Sequence, residues 1–524
     1  MGSQSESFIP ARATITETIK HGGDTLPRII GKSVLIIGGG LGGLSAAISL
    51  AQNGYKVALY EQNAHLGGKL NQLDQGGFRF DLGPSILTMP HLFEKLFNAS
   101  GCSMADYIGI IRLDHEWRSF FTDGTVIDLY GDLEIMNRKN PSLNSQDMSE
   151  YQHLLDYAHR LYDLTDKGYF AKGLDNARAV FKYHGVVESV LGFDYFSSMY
   201  DAIAKRISNQ HLRDMLAYFI KYVGSSPYDA PAILNMMVYM QHQQGVWYVP
   251  GGMHGIADGL QKLAQEIGVE FHTGQAVVHM EHAALHQITA IELADGTRLS
   301  ADYYVSNREV IPAYQDLLDE EPSFIQQFDR FEPACSGLVL HIGVNRLYPQ
   351  LAHHNFFFSA DPYNHFNKVF HRHELPDDPT IYVVNVNKTD PGQSPAGHEN
   401  IKILPHIPYI QDPPFTDDDY GQLRELVLVK LEKMGLTDLR QHIVVEDMWT
   451  PEDIRRMYGS NRGAIYGVVS DRKKNLGFKH PKQSTKYNNL FFVGGSVNPG
   501  GGMPMVTLCG QQVCDLIVQR DLRG

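Results

Sequence analysis

Six residues near the start of the chain, Gly38-Gly39-Gly40-Leu41-Gly42-Gly43, have the types and the spacing of a pyrophosphate-binding turn. In the pattern GxGxxG, we expect Gly38 to allow a tight turn and Gly40 to let the backbone approach a pyrophosphate. We expect Gly43 to let a helix pack closely on a strand. Glu61 follows at a distance suited to an acid that accepts hydrogen bonds from a ribose diol. Its charge disfavours a ribose with a 2′-phosphate, because the two anions would repel.

The elements around this turn have the order that a dinucleotide site needs. Residues Ser33–Ile37 are rich in β-branched side chains and predict a buried strand. An apolar face at helical spacing follows the glycines, which predicts a helix up to Asn53-Gly54. A second strand is predicted over Lys56–Tyr60. A glycine-rich turn without a ligand is the alternative, and the order strand, turn, helix, strand and acid favours the binding site.

Two further glycine-rich segments predict more of the same site. Leu66-Gly67-Gly68-Lys69 comes soon after Glu61 and precedes a turn over residues 77–85. Near the C-terminus, a predicted strand over Asn489–Val493 enters the loop Gly494–Pro504, and we expect a helix from Met505. A helix start after a glycine turn suits a phosphate and a ribityl chain. In the middle of the chain we predict a Pro-Gly turn at residues 247–253 and strands over 269–272 and 275–279.

With these motifs, residues 33 to the C-terminus resemble the FAD oxidoreductases that include amine oxidases and carotenoid desaturases. Within them the chain is most similar to bacterial carotenoid desaturases and their oxygenase relatives. The resemblance is carried by IIGGGLGGLSAAISLAQNGY (36–55), FDLGPSILTMPHLFEKLF (80–97), FIKYVGSSPYDAPA (219–232), LAHHNFFF (351–358), ILPHIPYIQDPPFT (403–416), SNRGAIYGVV (460–469) and FVGGSVNPGGGMPMVTLCGQQV (492–513).

The resemblance implies FAD as the cofactor and assigns it a set of binding residues. The backbone of the strand at Ala276 and Val277 is expected near the adenine, and Lys69 replaces the commoner arginine, which argues against a bidentate phosphate contact there. The implied cofactor-binding residues are Ile37, Gly38, Gly40, Leu41, Gly42, Gly43, Glu61, Gly67, Gly68, Lys69, Pro84, Ser85, Val277, Gly494, Gly495, Met503, Pro504 and Met505.

The implied fold is α/β, with a Rossmann-like FAD-binding domain interleaved with an α+β substrate domain. We predict the FAD-binding domain over residues 30–110, 225–310 and 465–524, and the substrate domain over 111–224 and 311–464. Residues 1–30 are rich in Ser, Thr and Gly without an apolar core, which predicts a flexible tail rather than a signal peptide.

The implied activity is the oxidation of a terminal methyl group of a C30 carotenoid, such as 4,4′-diaponeurosporene, to an aldehyde, with O₂ or another electron acceptor. Desaturases of the group typically carry a His in the C-terminal loop, and Asn498 here fits the oxygenase branch. A carotenoid desaturase of the diapophytoene or phytoene type is the first alternative. A prenyl-lipid binding protein without flavin chemistry is the second, and amine oxidation is a weaker one. No side-chain motif for acid–base or nucleophilic catalysis stands out, which agrees with chemistry carried by a flavin.

A long apolar substrate needs a tunnel, for which we predict three aromatic clusters as walls. They are Tyr195, Phe196, Met199 and Tyr200; Trp117, Phe120 and Phe121; and Phe356, Phe357 and Phe358. Ordinary core packing is the alternative for each. His353 and His354 suggest a metal, but adjacent residues of a strand point to opposite sides, so we predict no metal site.

Composition limits the partners and the compartment. The chain has 45 Lys and Arg against 59 Asp and Glu, a net charge of −14, which disfavours nucleic acid. Four cysteines in 524 residues indicate a reducing compartment. We expect a cytoplasmic protein at the inner face of the cell membrane. A basic run could contact anionic lipid and an apolar patch could dip into it. The run is Arg472, Lys473, Lys474, Lys479, Lys482 and Lys486, and the patch is Val186, Val187, Val190, Leu191 and Phe193.

Overall fold

A parallel sheet of five strands underlies the N-terminal glycine turn in the computed structural model, which describes residues 14–21, 24–185, 188–283 and 286–523. In spatial order the strands are Glu270–Thr273, Lys56–Glu61, Ser33–Ile37, Tyr303–Ser306 and Leu490–Phe492. The predicted strand over Ser33–Ile37 is confirmed, and the C-terminal strand is shorter than predicted at both ends. Apolar side chains dominate the central strands because helices cover the sheet.

Three helices pack together beside this sheet. Leu41–Gln52 lies against both Gly255–Glu266 and Met503–Arg523. The contact with the last helix is close, since a Cβ at Gly510 would lie 2.6 Å from the backbone nitrogen of Ala46. The apolar, glycine-rich stretch over residues 34–51 is therefore a buried strand and helix. Among the described residues, no helix is long and apolar enough to cross a membrane.

The second large sheet has eight strands, all from the segments predicted for the substrate domain. One face shares the core of the parallel sheet through Trp117, Phe356 and Tyr382, and the other packs on the helix Asp417–Lys433. The strands are His115–Phe120, Val126–Tyr130, Ser336–Gly337, Val339–Val344, His354–Phe357, Ile381–Asn385, Glu399–Ile407 and Ile443–Trp449. The predicted domain boundaries stay a prediction.

Smaller antiparallel units complete the sheets. One is a three-stranded sheet that includes Val277–Ala283, which begins two residues later than predicted. In the region predicted as a flexible tail, the described residues instead form a hairpin. The strands of these units are Thr14–His21 and Asp24–Ile30; Gln72–Gln75 and Phe78–Asp81; Ile111–Leu113 and Val246–Tyr248; and Val277–Ala283, Gln287–Leu293 and Arg298–Leu299.

Several of the remaining helices begin with sequence signals typical of helix N-termini. Asn144 and Thr416 each form a capping box with an aspartate three residues on. The other α-helices are His91–Ala99, Leu133–Lys139, Ser145–Thr165, Ala177–His184, Met199–Ala204, Gln210–Ala217, Met236–Gln244, Val310–Pro312, Pro322–Ile325, Pro362–Asn367 and Pro451–Tyr458. Short 3₁₀ or π turns continue several of them, including Asp166–Phe170 and Tyr218–Tyr222.

Candidate active site

A cavity of about 350 Å³ opens at the carboxyl ends of the parallel strands. This is the edge at which open α/β sheets bind their ligands. All but two of the residues predicted to bind the cofactor lie on its wall. The predicted residues on the wall are Ile37, Gly38, Gly40, Leu41, Gly42, Glu61, Gly67, Gly68, Lys69, Pro84, Ser85, Val277, Gly494, Gly495, Met503 and Pro504. We refer to it as the large cavity.

The first glycine turn has the geometry that its sequence predicts. Gly38 has φ +97°, a conformation that other residues rarely adopt. A Cβ at Gly43 would lie 2.1 Å from the carbonyl oxygen of Gly38, so only glycine lets the helix approach the strand this closely. The predicted packing role of Gly43 is thus confirmed. Gly43 does not line the large cavity, and its contact with the cofactor stays a prediction.

Glu61 is held rigidly at the end of its strand. Its Oε2 accepts the backbone N–H of Gly39 over 2.7 Å, and its Oε1 accepts the backbone and side-chain N–H groups of Asn63. The side chain is buried and faces the large cavity. Next to it, the backbone N–H of Gln275 donates to the Glu61 carbonyl, which brings the strand with Val277 to the same end of the cavity.

The second glycine pair packs directly against the first turn. The backbone N–H of Gly67 donates to Gly39 O over 2.9 Å, and a Cβ at Gly68 would lie 3.0 Å from the Cα of Gly40. Lys69 points its amine at the carbonyl oxygen of Ile465 over 2.7 Å and at the Glu309 carboxylate over 3.9 Å. Burial lowers the pKa of Lys69. Its ammonium therefore already has protein partners.

The C-terminal loop brings a second helix start to the large cavity. The helix begins at Met503, two residues before the predicted start. Met505 lies on the wall of a neighbouring cavity rather than on that of the large one, and its contact with the cofactor stays a prediction. Asn498 is buried behind the loop, where its amide donates to three carbonyl oxygens and its oxygen accepts from Tyr169 Oη and the backbone N–H of Lys479. It supports the loop and lines neither cavity.

Asn307 is a central residue of the site that the sequence analysis did not identify. It directly follows the strand Tyr303–Ser306, and its Oδ1 accepts the backbone N–H of Gly43 over 3.1 Å. A Cβ at Gly40 or Gly42 would lie 2.6 Å from its amide atoms. The available signal was a polar residue at the carboxyl end of a buried strand, which becomes informative only once that strand is known to lie beside Ser33–Ile37.

Two buried ionisable groups hold the loop Leu82–Ile86 at the far end of the large cavity. Lys402 donates to the carbonyl oxygen of Gly83 and, over 3.3 Å, to Ser85 Oγ. Burial lowers its pKa to about 8. Asp81 accepts the backbone N–H of Met253 over 2.9 Å, and burial raises its pKa to about 6. The charge of each group favours the charged form of the other, because Lys402 lowers the pKa of Asp81 and Asp81 raises the pKa of Lys402.

A second cavity of about 140 Å³ adjoins the large one, and its lining is almost wholly apolar. We call it the apolar cavity. Five residues line both cavities and mark the junction: Thr88, Tyr222, Gly501, Gly502 and Pro504. The apolar side chains of its wall include Met89, Phe170, Val180, Phe193, Val223, Ile233, Leu234, Met236, Met237, Met240, Leu476, Phe478 and Met505.

Of the aromatic clusters predicted to line a substrate tunnel, only Tyr195 lies on the apolar cavity. Trp117 packs on Phe219 and Phe356, while Phe120 stacks on Phe357 in the core on the other side of the sheet. Alternation along the strands sends neighbouring aromatics to opposite faces, which the sequence clusters did not take into account. Phe121 stacks on Phe358, Met199 is buried, Tyr200 packs on Tyr228 and Phe196 is exposed.

The two histidines considered for a metal lie together, contrary to the prediction that they point apart. Their ring centroids are 4.4 Å apart because the strand begins only at His354. His353 Nδ1 pairs with Thr389 Oγ1 and His354 Nδ1 with the Tyr382 hydroxyl. Burial lowers the pKa of both. Within the described ranges, no group of three His, Cys, Asp or Glu side chains is placed to hold a metal.

Part of the basic run and of the apolar patch is unavailable for the predicted contact with lipid, which stays a prediction. Lys479 and Lys482 are buried, the latter in an ion pair with Asp175, because they support the C-terminal loop. Lys474 and Lys486 pair with glutamates. Phe193 is buried on the apolar cavity. Val186 and Val187 lie outside the described residues, as do the side chains of Val190 and Leu191.

Comparison with known proteins agrees with this geometry. The family model described as flavin containing amine oxidoreductase matches residues 41–518. The chain belongs to this family. A 4,4′-diaponeurosporene oxygenase of Staphylococcus haemolyticus is 60% identical to it over 487 residues, 93% of this chain and 97% of that protein. The same-named protein of Staphylococcus aureus is 57% identical over 494 residues, 94% and 99% of the two chains.

Among solved structures, an oxidoreductase from Methanosarcina mazei has the same fold. Its TM-score is 0.62 at 16% identity, and the match covers 92% of this chain and all of that one. This flavin-containing oxidoreductase has the predicted α/β fold of FAD enzymes. FAD is its cofactor. The large cavity fits this group through two helix starts for the phosphates, a cradle that Cβ atoms at Gly40 and Gly42 would fill, and the Glu61 carboxylate.

Proposed function

We propose that this protein oxidises a terminal methyl group of a C30 carotenoid, 4,4′-diaponeurosporene or a close relative, to an aldehyde. The observation that carries the proposal is the apolar cavity, which meets the large cavity at Thr88 and Tyr222. A polyene end in the apolar cavity would reach the far end of the large cavity, beside Pro84 and Ser85. The similarity to the staphylococcal oxygenases over nearly the whole chain supports the same choice.

The chain's own residues would orient the substrate and exclude water. Bound FAD supplies a two-electron oxidant. The apolar wall, with Met236, Met237 and Met240 along one helix, adapts to a long hydrocarbon because methionine side chains are flexible. Loss of a hydride at a terminal allylic carbon leaves a charge that the conjugated chain spreads. Overall, the end group gains one oxygen and loses two hydrogens, with O₂ or water as the oxygen source.

Product analysis tests this proposal. The protein is produced in bacteria engineered to make 4,4′-diaponeurosporene, and the pigment is analysed by mass and absorption spectra. We expect a terminal aldehyde. Loss of two hydrogens without gain of oxygen would instead assign the protein to the desaturases. Unchanged pigment together with a purified protein that lacks flavin would favour a lipid carrier.

We further propose that the protein works in the cytoplasm, at the inner face of the cell membrane, with the mouth of the apolar cavity against the lipid. Exposed apolar side chains surround segments that line this cavity: Phe181, Tyr183, Phe196 and Leu476. They lie close together, since Phe181 stacks on Tyr195 and Arg472 donates to the carbonyl oxygen of Phe196. Exposed Arg178, Lys182 and Lys473 add positive charge at the same place.

Flotation with vesicles that contain anionic phospholipid tests the membrane contact. We expect the double variant Phe196→Ser/Leu476→Ser to float several-fold less than the unmodified protein. Leu347→Ser is the matched control, because it removes a comparably exposed apolar side chain that is distant in sequence from Phe196 and Leu476. It should float as well as the unmodified protein. Equal flotation of all three proteins, or none by any of them, would contradict this surface.

A further inference from the structure

Tyr222 stands where the large cavity and the apolar cavity meet. It ends the short helical turn Tyr218–Tyr222 and lines both cavities. The other side chain at the junction with a hydroxyl group is Thr88. A ligand whose body lies in the apolar cavity and whose end reaches the large cavity must pass Tyr222.

The hydroxyl of Tyr222 is held in one direction by a buried chain of hydrogen bonds. It donates to Gln241 Oε1 over 2.7 Å. The amide nitrogen of Gln241 in turn donates to Glu116 Oε2 over 2.6 Å. Gln241 and Glu116 are both almost fully buried, so water does not compete for these bonds. Because the tyrosine's proton is directed to Gln241, the remaining lone pair of its oxygen can accept a further hydrogen bond, such as one from a ligand at the junction.

We propose that Tyr222 positions the half-oxidised substrate, by accepting a hydrogen bond from the terminal alcohol of the carotenoid between the two oxidations. This inference rests on the proposed function. The alcohol group is the one stage of the reaction with a proton to donate, because a methyl group has no polar hydrogen and an aldehyde oxygen only accepts. Tyr222 therefore retains the alcohol and releases the aldehyde.

The second oxidation itself is a loss of two hydrogens from the −CH₂OH group. The carbon gives up a hydride and the oxygen a proton, and the C–O single bond becomes the C=O bond of the aldehyde. Both electrons pass, with the hydride, to the two-electron oxidant of the proposed function, which bound FAD would supply and which also takes up the proton, and O₂ or another electron acceptor would reoxidise it. Tyr222 does not exchange protons in this scheme. Its amide partner Gln241 is a poor proton relay, and burial keeps the pKa of Tyr222 well above its ordinary value.

The test is the ratio of alcohol to aldehyde made by the holoenzyme from 4,4′-diaponeurosporene, with the FAD content of each variant measured from its absorbance. For Tyr222→Phe we expect total oxygenated product within about threefold of the unmodified protein and an alcohol fraction at least tenfold higher. This factor corresponds to the loss of one hydrogen bond. With the alcohol supplied as substrate, KM should rise about tenfold.

Tyr218→Phe is the matched control, since it removes another buried hydroxyl of the same helical turn, bonded to His406 Nδ1 and on neither cavity wall. Gln241→Leu keeps the tyrosine but removes its inward acceptor, and should raise the alcohol fraction by a smaller factor. An unchanged alcohol fraction in Tyr222→Phe at normal FAD content overturns the inference. So does a rise in Thr88→Val without one in Tyr222→Phe. If the unmodified protein makes no oxygenated product, the proposed function itself has failed.

Discussion

The backbone N–H of Gly39 donates to a carboxylate oxygen of Glu61 over 2.7 Å. The first glycine turn and the acid follow two neighbouring parallel strands, and this bond joins them into one rigid unit. We expect the glycines to bind the phosphates and the acid to bind the ribose, and this bond then sets the distance between the two functions. The other carboxylate oxygen is occupied by Asn63. The unit is buried, so the bond is not weakened by water.

Replacing Glu61 should therefore weaken FAD binding more than the loss of one ribose contact suggests. For Glu61→Ala we expect the dissociation constant of FAD to rise about 10- to 100-fold, because hydrogen bonds to a charged group contribute roughly 1.5–3 kcal/mol. Titration of the apoprotein with FAD, followed by flavin fluorescence, measures this change. Glu270→Ala, an exposed acid on the neighbouring strand, is the control and should bind normally. If Glu61→Ala bound FAD as tightly as the unmodified protein, Glu61 would have no part in FAD binding.

A methyl group added at Gly43 should abolish cofactor binding. Its Cβ would lie 2.1 Å from Gly38 O, so Gly43→Ala must push the helix Leu41–Gln52 away from the strand and open the turn. We expect purified Gly43→Ala to be colourless and less stable to heat. Gly421→Ala is the control, because Gly421 lies in the helix Asp417–Lys433 with open space around its Cβ position. This variant should retain FAD, and its free energy of unfolding should rise by up to about 1 kcal/mol. A yellow Gly43→Ala protein would contradict this packing.

Filling the apolar cavity should block the substrate without removing the cofactor. Ile233 is half-buried on its wall and away from the large cavity. We expect Ile233→Trp to keep its FAD content and to lose at least about 90% of its pigment product, since packed walls resist an extra ring. Phe120→Leu is the control, because Phe120 belongs to the core on the other side of the eight-stranded sheet. A normal yield from Ile233→Trp would show that the polyene lies elsewhere.

Glu116 should make the protein less stable as the pH rises. Burial raises its pKa from 4.5 to about 8, while the hydrogen bond from Gln241 and the charge of Arg112 lower it. Tyr151 and Tyr222 face it as neutral groups. Between these two pH values the unfolded chain has lost the proton that the folded chain keeps. The free energy of unfolding therefore falls by about 1.4 kcal/mol per pH unit because of this group. The full stabilising contribution of Glu116 is present only below pH 4.5.

The variant Glu116→Gln isolates this contribution, since it keeps a neutral oxygen for Gln241 and cannot ionise. We expect its free energy of unfolding, relative to the unmodified protein, to rise steadily from pH 5 to pH 8 in denaturant titrations of the holoproteins. All other groups titrate alike in the two proteins, so they leave the difference unchanged. A difference independent of pH would mean that Glu116 is ionised in the folded protein.

The sequence by itself determined the fold class and predicted the cofactor site, because both depend on local signals. The glycines at 38, 40 and 43, the acid at 61 and the pair at 67 and 68 each act through the backbone conformation or the end of an element next to them. Such features are legible in a short stretch of chain. The start of the last helix was predicted two residues too late, at Met505 instead of Met503.

Only the tertiary structure decided which residues reach the substrate side. Asn307, Tyr222 and Lys402 become part of the site when strands or turns distant in sequence come side by side. The aromatic runs around Phe120 and Phe357 were placed in the core for the same reason, since the alternation of a strand and the sheet face it presents decide where a ring points. A cavity wall is assembled from side chains of several elements, and no single stretch of sequence carries its pattern.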